Sequence, residues 1–183
     1  MKKPAESDHL TETIIQSEGM YLAVFDRLSS VNTPNKWSEV WEMAKVSAGS
    51  DTQNHLFDFN DIWSGYNVSK ELLTWVLSLD GVYRIRIVVL PHEIQLSGDT
   101  QNFIGSRSVS ALLECPSGEI IVDNLYHLGR FDAVTIAVVP AGLYQVHLIS
   151  NSKEQQKHEL LVDIKSYPEN DGPDWTIYMN KIN

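Results

Sequence analysis

The segment Val82–Leu90 constrains the fold of this chain more than any other part of its sequence. Its apolar residues alternate with Arg84 and Arg86, which is the pattern of a β-strand with one face buried and the other in water. Six further short segments rich in strand-forming residues follow it, separated by turn residues: Ser108–Cys115, Glu119–Leu125, Val134–Val139, Leu143–Ile149, Glu159–Lys165 and Trp175–Met179. Strands at this spacing predict a mainly β fold, an antiparallel β-sandwich or barrel.

The N-terminal half adds further strands and one or two helices to this fold. Met20–Leu28 predicts a strand, and His55–Trp63 predicts a second one less clearly. Lys36–Val46 predicts a helix, because its apolar residues recur at the spacing of one helix face. The residues of that face are Trp37, Val40, Trp41 and Ala44.

The segment Leu72–Leu79 fits two structures. Its apolar spacing and the glycine at position 81 are typical of a helix with a C-terminal glycine. Trp75–Leu79 followed by Asp80 and Gly81 also fits a strand that enters a tight hairpin. The pattern favours a helix as far as Thr74, and the hairpin stays open as the alternative.

The length of 183 residues predicts one domain with a hydrophobic core of its own. We expect residues 1–183 to form that single domain in three parts. Residues 1–8 are polar and predict a mobile tail. Residues 9–81 contribute a strand and the helices, and residues 82–183 contribute the antiparallel β region.

The segment Ser108–Leu125 predicts a hairpin around a two-residue Ser117-Gly118 loop. In that register, one face is apolar and the opposite face carries three carboxylates. The apolar pairs are Cys115 with Ile120 and Leu113 with Val122. The carboxylates belong to Glu114, Glu119 and Asp123.

A second hairpin is predicted over Val134–Ile149, around a three-residue loop that ends at Gly142. This register produces a fully apolar face on one side of the hairpin. Its pairs are Val138 with Tyr144, Ile136 with Val146 and Val134 with Leu148.

Charge and cysteine content exclude several classes of function. The net charge is −10, from 14 basic and 24 acidic residues, which argues against a nucleic-acid binder and against attraction to an anionic membrane. The single cysteine, Cys115, excludes a disulfide framework within the chain. Because no apolar signal segment precedes the first strand, we expect a cytoplasmic protein.

No group of residues in the sequence forms a recognisable catalytic or metal site. His55, Asp58 and Asp61 are the nearest to a metal-binding cluster, but on a strand they do not share one face. Cys115 has Glu114 and Glu119 as neighbours, whose charge is the wrong sign for a reactive thiolate. We therefore expect no metal, no cofactor and no catalytic residue.

The order of these elements resembles that of a known family. The chain has a first strand MYLAVFD, a short helix that opens with Trp37-Ser38-Glu39, a strand–turn–strand VSALLECPSGEIIVDN, and a turn with Pro140, Gly142 and Tyr144. These features are similar to those of the competence protein J family, small inhibitors of a DNA-entry nuclease, and to those of bacterial toxin-immunity proteins. The resemblance extends from about Met20 to Lys165. It implies an inhibitor of a nuclease or toxin, and it implies no catalytic residue either way.

The sequence and the resemblance together predict a protein that binds and neutralises a basic partner, either a nuclease or a similar toxin. A negatively charged surface raises the rate of association with a partner that has a basic groove. The predicted partner-binding residues are Glu114, Glu119, Asp123 and Asp132. Two alternatives remain: a small-ligand-binding or enzymatic β-sandwich with a pocket between its sheets, and a structural or adaptor domain. Under either alternative, the carboxylates of the predicted partner-binding residues would only keep a face of the sheet soluble.

Overall fold

Nine strands and one α-helix make up the described part of the chain. The computed structural model describes residues 9–17, 21–48, 69–76, 81–90, 108–129, 134–151, 165, 168–169 and 171–182. The first elements are β1 (His9–Ser17), β2 (Tyr21–Asp26), α1 (Lys36–Ala48), β3 (Leu72–Val76) and β4 (Gly81–Leu90). They are followed by β5 (Ser108–Cys115), β6 (Glu119–Asn124), β7 (Thr135–Val138), β8 (Gly142–Ser150) and β9 (Trp175–Ile182).

The strands form two sheets, which confirms the predicted mainly β fold and selects the sandwich over the barrel. The first sheet has the order β1-β4-β9-β8-β5, and the second has the order β3-β2-β6-β7. Neighbouring strands are antiparallel except β4 and β9, which run parallel with Ile85 beside Trp175. Strands of the N-terminal half therefore pair with strands of the C-terminal half in both sheets.

The main core lies between the two sheets. Alternate residues along the strands point into it, as period-two patterning requires. In β4 these are Tyr83, Ile85 and Ile87, and in β8 they are Tyr144, Val146 and Leu148, all without exposed surface. Burial of such side chains contributes roughly 1.5–3 kcal/mol each to stability.

A second, smaller core lies between α1 and the outer face of the second sheet. Val40 is buried there, and Trp37 and Trp41 pack against the same cluster, as the helical stripe predicts. The sheet contributes Ala23, Phe25, Leu72 and Ile121. No helix among the described residues has both the length and the apolarity needed to cross a membrane.

The predicted helix up to Thr74 is wrong, because Leu72–Val76 forms strand β3. Both of its faces are buried: Leu73 and Trp75 lie in the main core, and Leu72 lies beneath α1. A strand covered on both sides loses its alternating pattern, and its apolar spacing then imitates a helix. The predicted strands His55–Trp63 and Glu159–Lys165 and the tail at 1–8 lie outside the described residues, apart from Lys165.

The two predicted hairpins are wrong, because each connection crosses from one sheet to the other. Strand β5 pairs with β8 in the first sheet, whereas β6 pairs with β2 and β7 in the second. Leu113 and Val122 still point into the core, as predicted, but they belong to opposite sheets. An apolar face looks the same in a sequence whether the two strands lie side by side or face one another across a core.

The residues of β7 that point into the core also differ from those predicted. Ala137 and Val139 are buried in the main core, whereas Val134 and Val138 are 68% and 76% exposed. Ile136 is partly buried against that core. The pairing of β7 with β6 shifts register between Ile120 and Ile121, and such an irregularity breaks the simple alternation on which the prediction rested.

A buried carboxylate fixes the crossing between β5 and β6. Asp26, at the end of β2, has no exposed surface. It accepts hydrogen bonds from the Ser117 amide (3.2 Å), the Ser117 hydroxyl (2.8 Å), the Gly118 amide (3.0 Å) and the Leu28 amide (2.9 Å). The Gly118 carbonyl in turn accepts from the Val139 amide at 2.8 Å, so both crossings meet at this point.

Candidate functional site

The four carboxylates predicted to bind a partner do not share one surface. Glu119 and Asp123 lie on β6 and point to the outer face of the second sheet, with Ile121 between them in the core beneath α1. Glu114 lies on β5 and therefore on the outer face of the first sheet. Asp132 lies outside the described residues. The separation follows directly from the crossing between β5 and β6.

Glu119 belongs to a polar group that spans three adjacent strands. The Nε atom of Arg27 donates to the Glu119 carboxylate. The Nη2 atom of Arg27 donates to the Thr135 hydroxyl at 2.6 Å, and that hydroxyl donates to Glu119 Oε2 at 3.1 Å. The negative charge of Glu119 is therefore balanced by a guanidinium at the same place.

Asp123 has a different partner. Its Oδ1 atom accepts from the Asn124 amide at 2.7 Å and lies 3.0 Å from His127 Nδ1. Among the described residues, no Lys or Arg forms an ion pair with this carboxylate. His127 was not predicted as a site residue. The spacing of four residues to Asp123 was its only signal, and the 3₁₀ turn Leu125–His127 that joins them was not predicted.

Aromatic side chains lie on the same outer side of the second sheet as this carboxylate. Tyr126, in the 3₁₀ turn, is 40% exposed and meets Trp37 edge to face with ring centroids 4.4 Å apart. The ring centroids of Trp37 and Trp41 lie 6.3 Å apart, and Lys45 Nζ lies 5.5 Å from the Trp41 ring centroid. We call this surface, formed by Trp37, Trp41, Asp123, Tyr126 and His127, the α1 face.

The described residues hold only a small part of the negative charge of the chain. They contain eight Lys and Arg against eleven Asp and Glu, a net of −3 out of −10. On α1 the two glutamates are paired locally, Glu39 with Lys36 at 3.3 Å and Glu42 with Lys45 at 2.8 Å. An acidic field that attracts a basic partner therefore arises mainly from residues outside the described ranges.

Cys115 lies in the main core and has no exposed surface. Burial, and secondarily the charge of Asp26, raises its pKa to about 12. A thiol in this state is a poor nucleophile at neutral pH. Among the described residues, no three His, Cys, Asp or Glu side chains lie close enough to hold a metal ion. His55, Asp58 and Asp61 fall outside them.

Comparison with known proteins gives structural matches but no sequence match. No family model matches the chain, and no curated protein matches it. Its structure matches a protein described as crocagin biosynthetic gene J, with a TM-score of 0.72 and 20% identity over 97% of this chain and 99% of that one. It also matches ComJ from Bacillus subtilis, described as an inhibitor of the DNA degrading activity of NucA. That match has a TM-score of 0.45 and 10% identity over 96% and 98% of the two chains.

The two structural matches bear differently on the fold. The match to the crocagin protein is much closer in backbone geometry, and at 20% identity it shows a shared architecture and nothing about activity. The chain therefore has the β-sandwich fold of the crocagin protein.

Proposed function

We propose that this protein binds another protein and neutralises it, and that the partner is a nuclease or a similar toxin. The observation that carries this proposal is the α1 face. It presents partly exposed Trp and Tyr side chains beside a carboxylate whose charge no Arg or Lys balances among the described residues. Tryptophan and tyrosine are the side chains that most often dominate binding energy at protein interfaces.

The charge of the chain supports a basic partner. A nuclease needs a positively charged groove to hold the phosphate backbone of its substrate. A net charge of −10 accelerates encounter with such a groove and disfavours partners of like charge. The sequence resemblance to the competence protein J family implies the same class of partner. We propose that inhibition occurs in the cytoplasm, by covering the groove and without any catalytic step of this protein.

The test begins with capture of the partner from the native host and its identification by mass spectrometry. The purified partner is then assayed for DNA degradation with and without this protein. We expect inhibition at one-to-one stoichiometry, and we expect Tyr126→Ala to weaken it at least tenfold, as loss of an aromatic hot spot does. Glu114→Gln on the opposite sheet is the matched control. Full inhibition by the Tyr126 variant removes the α1 face as the interface, and absence of inhibition removes the proposed function.

One observation favours the small-ligand alternative. The indole nitrogens of Trp75 and Trp175 are buried and have no hydrogen-bond acceptor among the described residues, and their rings lie 5.9 Å apart in the main core. Buried donors without an acceptor cost about 1–3 kcal/mol each, so an acceptor atom of a bound molecule would be stabilised there. Native mass spectrometry of the purified protein tests this alternative, which requires a co-purifying molecule that Trp75→Phe and Trp175→Phe release.

A further inference from the structure

We propose that Asp123 and Tyr126 form a binding position for a guanidinium group, the side chain of an arginine on the partner protein. This inference rests on the proposed function and specifies the chemistry of its interface. It follows from three features of the α1 face: the charge balance around Asp123, the oxygen atom that Asp123 leaves open, and the fixed position of Tyr126.

The charge balance separates Asp123 from the other two described carboxylates of the predicted site. Glu119 is paired with Arg27, and Glu114 lies 4.0 Å from Lys70 Nζ. A cation from a partner would have to displace an existing cation at either position. At Asp123 the described neighbour is the His127 ring, whose Nδ1 atom lies 3.0 Å from Oδ1, and no Lys or Arg of the described residues pairs with this carboxylate. An incoming cation therefore does not have to displace a Lys or Arg of the described residues at this position.

The geometry of Asp123 suits a donor that comes from outside the chain. Both hydrogen bonds described for its carboxylate, from the Asn124 amide and the His127 ring, involve Oδ1. Among the described residues Oδ2 has no hydrogen-bond partner. The side chain is 22% exposed, so a partner atom can reach it in a setting where charges are less screened than on an open surface. A carboxylate with one oxygen held in place and the other open is prepared for charge-assisted hydrogen bonding.

The aromatic neighbour favours arginine over lysine. Tyr126 lies three residues after Asp123, and its edge-to-face contact with Trp37 holds the exposed ring in one orientation. A guanidinium is planar and weakly hydrated, so it stacks on an aromatic ring while it donates to a carboxylate. An ammonium group is compact and strongly hydrated, and it gains less from the ring.

The test uses N-acetyl-arginine amide as a probe and does not need the partner protein. It is titrated at pH 7.5 into the 15N-labelled full chain and followed by two-dimensional NMR, with N-acetyl-lysine amide and sodium chloride as comparisons. We expect the amide signals of Asn124, Tyr126 and His127 to shift with a millimolar dissociation constant. The lysine probe should bind about two- to fivefold more weakly, which is the scale of a partly exposed ion pair.

Variants assign the shifts to the two side chains. Asp123→Asn keeps an oxygen for the Asn124 amide and should weaken the arginine probe about two- to fivefold, and Tyr126→Leu should remove the preference for arginine over lysine. Glu114→Gln should change neither. Equal dissociation constants for the wild type and Asp123→Asn, or shifts located elsewhere, overturn the inference. Inhibition of a captured nuclease in that case leaves the proposed function standing without this site.

Discussion

Asp26 and Ser117 are 91 positions apart in the chain, yet the Ser117 hydroxyl donates to Asp26 Oδ1 at 2.8 Å. The same buried carboxylate also receives the amides of Ser117 and Gly118. It is therefore the joint between the end of β2 and the crossing from β5 to β6. Without this joint, the connection that places β5 and β6 in different sheets has buried amides with no acceptor.

Replacement of Asp26 by asparagine tests this joint. The side-chain amide nitrogen of asparagine cannot accept, so at least one of the four donors loses its partner. We expect a loss of about 1–3 kcal/mol in the free energy of unfolding, measured by urea denaturation. Ser117→Ala is the comparison and should cost about 1 kcal/mol. It removes the hydroxyl that donates to Asp26 and accepts from the Glu119 amide at 3.1 Å, and it leaves the buried carboxylate with its three amide donors. If the order of the two effects is reversed, Asp26 does not hold the crossing.

Gly118→Ala should be more damaging than Ser117→Ala next to it. Gly118 has a φ of +73°, and an added Cβ would lie 2.1 Å from the Val139 carbonyl oxygen. The left-handed conformation alone costs a residue with Cβ about 1–2 kcal/mol, and the backbone of Val139 has to move as well. We expect a loss of at least about 2 kcal/mol by thermal or urea denaturation. A variant as stable as the wild type would show that the crossing is not formed as described.

The stability of the protein should fall at alkaline pH. Burial, and secondarily interaction with Cys115, raises the pKa of Tyr144 to about 12, and burial with the charge of Asp26 raises that of Cys115 to about 12. Their ordinary values are 10.0 and 9.0, so unfolded chains lose these protons first. The stabilising contribution is complete below about pH 9 and is lost as pH rises toward about 12.

Alkylation with iodoacetamide measures the cysteine part of that prediction. At pH 8 the native protein should react far more slowly than the urea-unfolded protein, and Cys115→Ala should lose part of the alkaline dependence of the unfolding free energy. A native thiol that reacts as fast as the unfolded one would contradict its position in the main core.

Stability should also decline on mild acidification, through His147. Burial lowers the pKa of this side chain below its ordinary 6.5. The unfolded chain therefore binds the proton more tightly than the folded one, and stability decreases as pH falls below 6.5 until the lower folded pKa is reached. Comparison of unfolding free energies at pH 7.5 and pH 5 for the wild type and His147→Gln isolates this contribution. An unchanged pH dependence in the variant would assign it to other groups.

The sequence predicted the strands and the helix well where burial is one-sided. Alternation in Val82–Leu90 and the stripe through Val40 match β4 and α1 within two residues. Prediction failed where two arrangements bury the same side chains. Leu113 and Val122 have identical patterns in a hairpin and in a crossing between sheets, and the deciding contact, that of Asp26 with Ser117, joins residues too distant in sequence to reveal it.

The candidate site was predictable only in part. Asp123 and Glu119 could be placed on one outward face because they alternate with Ile120 and Val122. The partners that distinguish them, Arg27 for Glu119 and His127 for Asp123, depend on strand pairing and on a 3₁₀ turn. Charge alone cannot separate a carboxylate that is already paired from one that is open to a partner.

The position of β9 also sets the order in which the molecule can be built during translation. Ile85 pairs with Trp175, which is synthesised 90 positions later. At a ribosomal rate of about 5–20 residues per second, this separation corresponds to a delay of roughly 5–20 s. Until then β4 and β8 each keep one unpaired edge in the middle of the future sheet, and such edges recruit other chains. We therefore expect the nascent protein to be most exposed to aggregation just before β9 leaves the exit tunnel.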